Sequence, residues 1–194
     1  MNRKLLIRFL WTTAACWVTA CSGNELKDGG FTTPDSESWD GSSWSTWTAT
    51  SVCGRPTWAD RLNSGRGAAA YGWYNANELG FFQDVPGAAF VTYNFSIWVR
   101  KERNYNEDVT QLKIEWLDRN RNWLSESIVS NITGRSSANY ALFTVTGSTT
   151  DTNCEIVRVV AWARWKTPTN TTWATLQLDD ADLTAVAPTV LRIK

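Results

Sequence analysis

The chain has 194 residues, enough for one domain with a sizeable core and short for two. Basic and acidic residues number 19 each. Arg3, Lys4 and Arg8 precede Cys21 with no acid among them, so the rest carries 16 basic groups against 19 acidic ones and gives no electrostatic reason to bind nucleic acid. There is no His, which removes the commonest general base and the commonest zinc ligand. Thirteen Trp stand against one Met.

The first twenty residues read as an export signal. Met1–Lys4 is a short basic start, and Leu5–Ala20 is apolar apart from Arg8 and a few small polar residues. That stretch is too short for a comfortable span, which needs about 20 residues. Val18-Thr19-Ala20-Cys21 then resembles the lipobox of bacterial lipoproteins: an apolar residue, two small ones and the cysteine that takes the lipid. The resemblance implies cleavage before Cys21, diacylation of its sulfur and acylation of the new N-terminus, an anchor of several chains. Ser22 after the cysteine resembles outer-membrane sorting in a cell with two membranes. The competing reading is an ordinary secretory signal or an uncleaved anchor. Residues 21–28 are expected to be the lipidated cysteine and a short polar tether, Ser22–Asp28 reaching about 25 Å. In an exported chain the remaining pair, Cys53 and Cys154, reads as one disulfide, worth ~2–4 kcal/mol. Two unpaired buried thiols are the alternative.

Residues 29–187 are expected to form one β-domain, followed by a short tail, 188–194. No stretch after Cys21 has helical periodicity, and many alternate with Thr, Val, Trp, Tyr and Phe. Segments 69–73 and 80–85 are the first strands. In 89–101, Val91, Tyr93, Phe95, Ile97 and Val99 point one way while Asn94, Trp98 and Arg100 point the other. In 109–118, Leu112, Ile114 and Trp116 oppose Gln111, Lys113 and Glu115. A polar turn, 118–122, leads to a hairpin partner over 123–129. Strands over 140–146, 155–165 and 175–178 follow; in 155–165, Val157, Val159, Ala161 and Ala163 oppose Arg158, Trp162 and Arg164. Eight or nine such strands with polar turns predict an all-β fold, a jelly-roll β-sandwich of two antiparallel sheets. Segment 34–65, with Trp39, Trp44, Trp47 and Trp58, is expected to be a long loop.

Several motifs, in order, resemble the carbohydrate-binding modules of the family 4/9/22 type: Asp28-Gly29-Gly30-Phe31 with Trp39, Ser64-Gly65-Arg66-Gly67-Ala68, Phe81-Phe82-Gln83-Asp84-Val85-Pro86-Gly87, Ile97-Trp98-Val99-Arg100, Ile114-Glu115-Trp116-Leu117-Asp118, and Leu178-Asp179-Asp180-Ala181-Asp182-Leu183. The resemblance spans most of residues 28–186 and implies a galactose-binding-like jelly roll, sugar binding and a structural Ca²⁺. Asp180 matches the family's metal carboxylate, and Gly30 would supply a backbone carbonyl. Thr32 stands where the family has Glu, so one ligand is missing; Asp28, Asp35 or Glu37 would have to compensate.

A pyranose offers an apolar C–H face that stacks on Trp and a hydroxyl rim that bonds polar side chains. Asn94, Trp98, Arg100, Lys113, Glu115, Arg158, Trp162 and Arg164 supply that mixture if their strands share one sheet, with Trp44 and Trp47 walling the end of the cleft. The cations would suit uronic or sulfated sugars. The competing readings are Trp98 and Trp162 packed beneath a loop, Trp44 and Trp47 packed within it, and Lys113 with Glu115 as a solvated face. Trp39 and Trp116 read as core. The expected function is non-catalytic binding of a poly- or oligosaccharide by an envelope lipoprotein. The alternatives are a structural or adhesive lipoprotein with a protein partner, and a polysaccharide-degrading enzyme. For the last, Glu115 has no evident second carboxylate.

Overall fold

Period-two alternation needs two layers, each burying one face against the other. The computed structural model describes residues 23–32, 43–46, 52–54, 57–59, 61, 66–72, 78–101, 107–130, 139–165 and 174–186. They form two five-stranded antiparallel sheets. The first sheet runs β1 (Ser45–Thr46), β4 (Glu78–Pro86), β9 (Ile156–Trp165), β6 (Glu107–Leu117), β7 (Trp123–Ser130). The second runs β2 (Val52–Gly54), β3 (Ala68–Gly72), β10 (Ala174–Val186), β5 (Thr92–Lys101), β8 (Ala141–Gly147). This is the expected jelly-roll β-sandwich.

The inward faces make the core. Phe81, Val159, Ala161, Leu112, Ile114 and Trp116 come from the first sheet; Phe95, Ile97, Leu176, Leu178 and Leu183 come from the second. Each large apolar side chain buried there contributes roughly 1.5–3 kcal/mol. Trp116 is core as expected, at 1% exposure. Segment 34–65 is not loop throughout: β1 and β2 lie in it, together with a single 3-10 turn, Thr57–Ala59. β10 is longer than expected, because a bulge between Asp179 and Asp182 interrupts its alternation and the strand resumes beyond it.

The tether is shorter than expected. β3 pairs with β10 only over 174–178, which leaves the 181–183 edge to be satisfied elsewhere. Glu25 N–H donates to the Leu183 carbonyl (2.8 Å), and Asn24 Oδ1 accepts from Leu183 N–H (2.9 Å). Lys27 and Gln83 of β4 exchange two hydrogen bonds (2.7 and 2.8 Å) across to the other sheet. Leu26 and Phe31 enter the core. Gly29 passes so close to β10 that a Cβ there would meet the Ala181 carbonyl at 2.1 Å. Residues 24–31 therefore staple the two sheets, and between Cys21 and the fold only Ser22 and Gly23 remain.

The disulfide expectation is corrected. Cys154 is a free, buried thiol. Burial pushes its pKa up, and it makes a weak contact to the Ile156 carbonyl (3.7 Å). Cys53 pairs with Ala70, Ala70 with Leu176, and Leu176 with Lys101 at the end of β5. Cys154, two residues before β9, is near enough to Tyr93 at the start of β5 to act on it electrostatically. Eight residues of strand separate those levels, about 26 Å, whereas a disulfide needs Cα atoms about 4.4–6.8 Å apart.

Candidate functional site

Two outer faces carry the polar and aromatic residues, and they belong to different sheets. Asn94, Trp98 and Arg100 are on β5 of the second sheet; Lys113 and Glu115 on β6 and Arg158, Trp162 and Arg164 on β9 are on the first. The expected single patch is thus split in two. Alternation fixes which side of a strand a residue occupies, and it is silent on which distant strand pairs with it.

On the second sheet the face is covered over its Trp98 half. The Arg61 guanidinium lies over the Trp98 ring, 4.2 Å from its centroid, and bonds Asp180 Oδ2 at 2.5 Å. Arg61 N–H donates to Asp179 Oδ2 (2.7 Å). Arg100 donates to Gln177 Oε1 (2.7 Å) and sits over Tyr140, whose hydroxyl donates to the Ala59 carbonyl. Gln177 and Asp179, outward-facing by register, are consequently buried at 0% and 3% exposure. Trp98 and Arg100 here hold down the 57–61 segment. Asn94 lies two rows away and accepts from Thr146 Oγ1 (2.8 Å).

On the first sheet the outer rows are read from register. Gly80, Trp162 and Gln111 form one row; Phe82, Val160 and Lys113 the next; Asp84, Arg158, Glu115 and Glu126 the third. Trp162 stands opposite a buried glycine, so the position directly across from it presents no side chain. Lys113 Nζ lies 5.5 Å and Arg164 Cζ 5.8 Å from the ring centroid. Arg158 makes a two-pronged pair with Asp84 (2.6 and 3.0 Å) and stacks over Phe82 at 4.4 Å. The pair with Asp84 holds the guanidinium pKa above its ordinary value. Lys113 also reaches Glu126 (3.4 Å).

Glu115 differs from its neighbours. Its carboxyl makes no hydrogen bond or ion pair among the described residues. Burial pushes its pKa up, against the pull of Lys113 and Arg158, with Glu126 and Asp84 adding to the rise. Phe82, Asp84 and Glu126 were not singled out from the sequence. The alternation of Phe81 inward and Phe82 outward in β4 was the signal for the first.

Three further expectations meet the geometry as follows. Trp44 does not wall a cleft: it is buried at 3% exposure. Its ring is tilted on Phe31 (4.9 Å), and its Nε1 donates to the Asp28 carbonyl (3.0 Å). The Asp28–Phe31 turn, with positive φ at Asp28 and Phe31, offers both the acceptor and the apolar partner. Trp47 and Cys21 lie outside the described residues, as do Asp35 and Glu37. Of the expected Ca²⁺ donors, the Asp180 carboxylate is bonded by the Arg61 guanidinium through Oδ2, and the Gly29 carbonyl next to Gly30 accepts from Ala181 N–H (2.8 Å). A hard cation needs several oxygens, and the Arg61 pair occupies one of the two that Asp180 could offer.

No family model and no curated protein sequence matches the chain. Solved structures do. The chain is similar to the Family 16 Carbohydrate Binding Module-2 at 15% identity and TM-score 0.56, covering 83% of this chain and 99% of that one. It is similar to a cyclase from Fischerella sp. TAU at 14% identity and TM-score 0.61, covering 86% and 98%. It is similar to the enzymatically active domain of bacteriophage CBA120 tailspike protein 4 at 11% identity and TM-score 0.62, covering 84% of this chain and 21% of that domain. The chain therefore spans about a fifth of the tailspike domain's length. At these identities the likeness is one of fold, and that fold carries both binding modules and enzymes.

Proposed function

We propose that the protein binds a poly- or oligosaccharide on the outer face of its first sheet, and that it does so while anchored to the cell envelope through a lipid on Cys21. The observation that carries the reading is the surround of Trp162. A half-buried indole opposite Gly80 has two cations over its ring at 5.5 and 5.8 Å, further off than Arg61 is from Trp98 (4.2 Å), and Gln111 in its row. An indole next to a glycine can accept the C–H face of a pyranose, and the Lys113, Arg164 and Gln111 donors can meet its hydroxyls or carboxylate. The Arg158–Asp84 pair and Glu115 lie two rows further along the strands, roughly 13 Å away. That separation suits a short oligosaccharide lying along β6 and β9 better than a single sugar. The full similarity in length to a carbohydrate-binding module supports the reading. The lipobox-like Val18–Cys21 supports the anchor and an outer-membrane address where the cell has two membranes. Affinity electrophoresis against neutral, uronic and sulfated polysaccharides tests the binding. Retardation by at least one, abolished in Trp162→Ala and kept in Trp98→Ala, is expected. No retardation by any glycan overturns it and leaves the adhesive reading, a protein partner on the same face.

A second reading has one observation behind it. Glu115 and Glu126 are cross-strand partners, the first unpaired with a raised pKa and the second beside Lys113. A carboxyl that burial makes the weaker acid, with a second carboxyl directly opposite on the neighbouring strand, has the parts of a general acid–base pair. Release of reducing ends that vanishes in Glu115→Gln would make the protein an enzyme on this face.

A further inference from the structure

The two ends of the sandwich differ, and one of them carries an apolar rim. At that end β4 turns into β5, β6 into β7, and β8 into β9, and β10 finishes beside the start of β5. Phe90 (57% exposed), Trp123 (60%) and Val186 (52%) stand there. They belong to three separate chain segments, so one loop's accident does not explain them. Pro86, Ile156 and Leu117 continue the row of Trp123 across the first sheet. Phe90 holds φ at 63°, a region that costs a β-carbon residue about 1–2 kcal/mol and that Gly or Asn would occupy more easily. Its N–H is fixed on the Thr149 carbonyl (2.7 Å), and its phenyl stands exposed. Arg119 stands exposed on the same turn as Trp123.

The described residues nearest Cys21 are fixed close to this end and far from the other. Glu25 is fixed at Leu183, three residues from the end of β10, about 10 Å. The opposite end of β10, Ala174, lies nine residues away, about 30 Å. Three residues separate Glu25 from Cys21, four steps of chain that span at most about 14 Å fully extended. A lipid on Cys21 therefore brings the Phe90–Trp123–Val186 end to the bilayer and cannot bring the other one.

We infer that this end of the sandwich docks on the lipid surface, with Phe90, Trp123 and Val186 entering the headgroup–acyl boundary. The inference rests on the anchor proposed at Cys21. Trp is the residue that prefers that boundary, its ring apolar and its N–H satisfied by water or headgroups. Arg119 beside it suits anionic headgroups. Docking stands the strands along the membrane normal, so both outer faces, with Trp162 on one, stay clear of the lipid.

The test uses the mature protein purified from membranes and reconstituted into vesicles of phosphatidylethanolamine and phosphatidylglycerol with brominated acyl chains. Intact mass first reports whether Cys21 is acylated. With the acyl mass present, quenching of tryptophan emission by the brominated lipid is expected, and Trp123→Phe is expected to remove most of the quenched part. Phe90→Ser with Val186→Ser is expected to weaken quenching in the wild-type Trp background while the acyl mass is kept. Equal quenching in wild type and Trp123→Phe overturns the docking and leaves the anchor standing. Absence of the acyl mass overturns the anchor and the docking with it. If the 87–91 and 118–123 turns are protected from hydrogen exchange in native membranes but not in protein-free vesicles, the occupant is a protein and the lipid assignment fails.

Discussion

The two outer faces begin from the same kind of sequence, an alternating strand with Trp and Arg at the polar positions, and they end differently. On the second sheet Trp98 and Arg100 are consumed by the fold: Arg61 lies on the Trp98 ring, and Arg100 reaches Gln177 and Tyr140. On the first sheet Trp162 has Gly80 opposite it, and Lys113 and Arg164 lie over its ring at 5.5 and 5.8 Å, looser than the 4.2 Å of Arg61 on Trp98. An aromatic and an arginine on a strand thus do not define a site. What separates the two is whether a neighbouring segment supplies the partners.

That contrast is broken most directly by removing each indole. Trp162→Ala is expected to weaken glycan binding by about 2 kcal/mol, roughly thirty-fold, as for the central residue of an interface. Its effect on stability is expected to be the smaller of the two, about 1 kcal/mol, since the half-buried ring has looser partners than Trp98. Trp98→Ala is expected to do the reverse: binding unchanged, stability lower by about 2–3 kcal/mol, since a packed ring beneath Arg61 is lost. Affinity electrophoresis and urea denaturation on both variants read the two effects. Loss of binding in Trp98→Ala would move the site to the other sheet.

The next step sharpens the covered face. Arg61→Met keeps an apolar stem over Trp98 and removes the charge from Asp180, which is left half-exposed without its partner. A loss of about 1 kcal/mol is expected, limited by the exposure of the pair. On the other face Arg158→Lys gives up the two-pronged bond to Asp84 and the flat stack on Phe82, at about 0.5–1.5 kcal/mol. Chemical denaturation ranks them. A larger loss from Arg61→Met than from Trp98→Ala would mean that the charge, not the ring, holds the 57–61 segment down.

Much of this was legible in the sequence, and the limits have physical causes. β5 buries every second residue from Tyr93 to Lys101, as its alternation says. The core positions of β6 and β9 follow in the same way. Sheet membership was not legible, because β6 pairs with β9 and β5 with β10 across long stretches of chain, and alternation carries no information on distant partners. Trp44 was misplaced because its partners come from a turn whose carbonyl and Phe31 ring converge only in three dimensions. The Ser22–Asp28 tether looked free because its bonds go to the β10 edge that β3 leaves unpaired. Nothing local marks Arg61 as the lid of Trp98.

The smallest effect expected is also the most diagnostic of the first sheet's face. Burial raises the Glu115 pKa above its ordinary value, so the folded protein holds the proton more tightly than the unfolded chain does. The sign follows from linkage. Below the unfolded-state pKa both states are protonated and the neutral carboxyl imposes no cost. As pH rises from the ordinary carboxylate pKa through the raised folded one, the unfolded chain ionises first and stability is lost. Glu115→Gln has no proton to lose. It is therefore expected to match wild type at acid pH and to be modestly more stable at neutral pH, in urea titrations run at both. A bound glycan that donates a hydroxyl to the ionised carboxylate would lower the Glu115 pKa and shrink that gap, whereas one that binds at Trp162 alone would leave it unchanged. Repeating the neutral titration with saturating oligosaccharide thus reads whether the ligand extends along β6 from Trp162 to Glu115 or stops short of it.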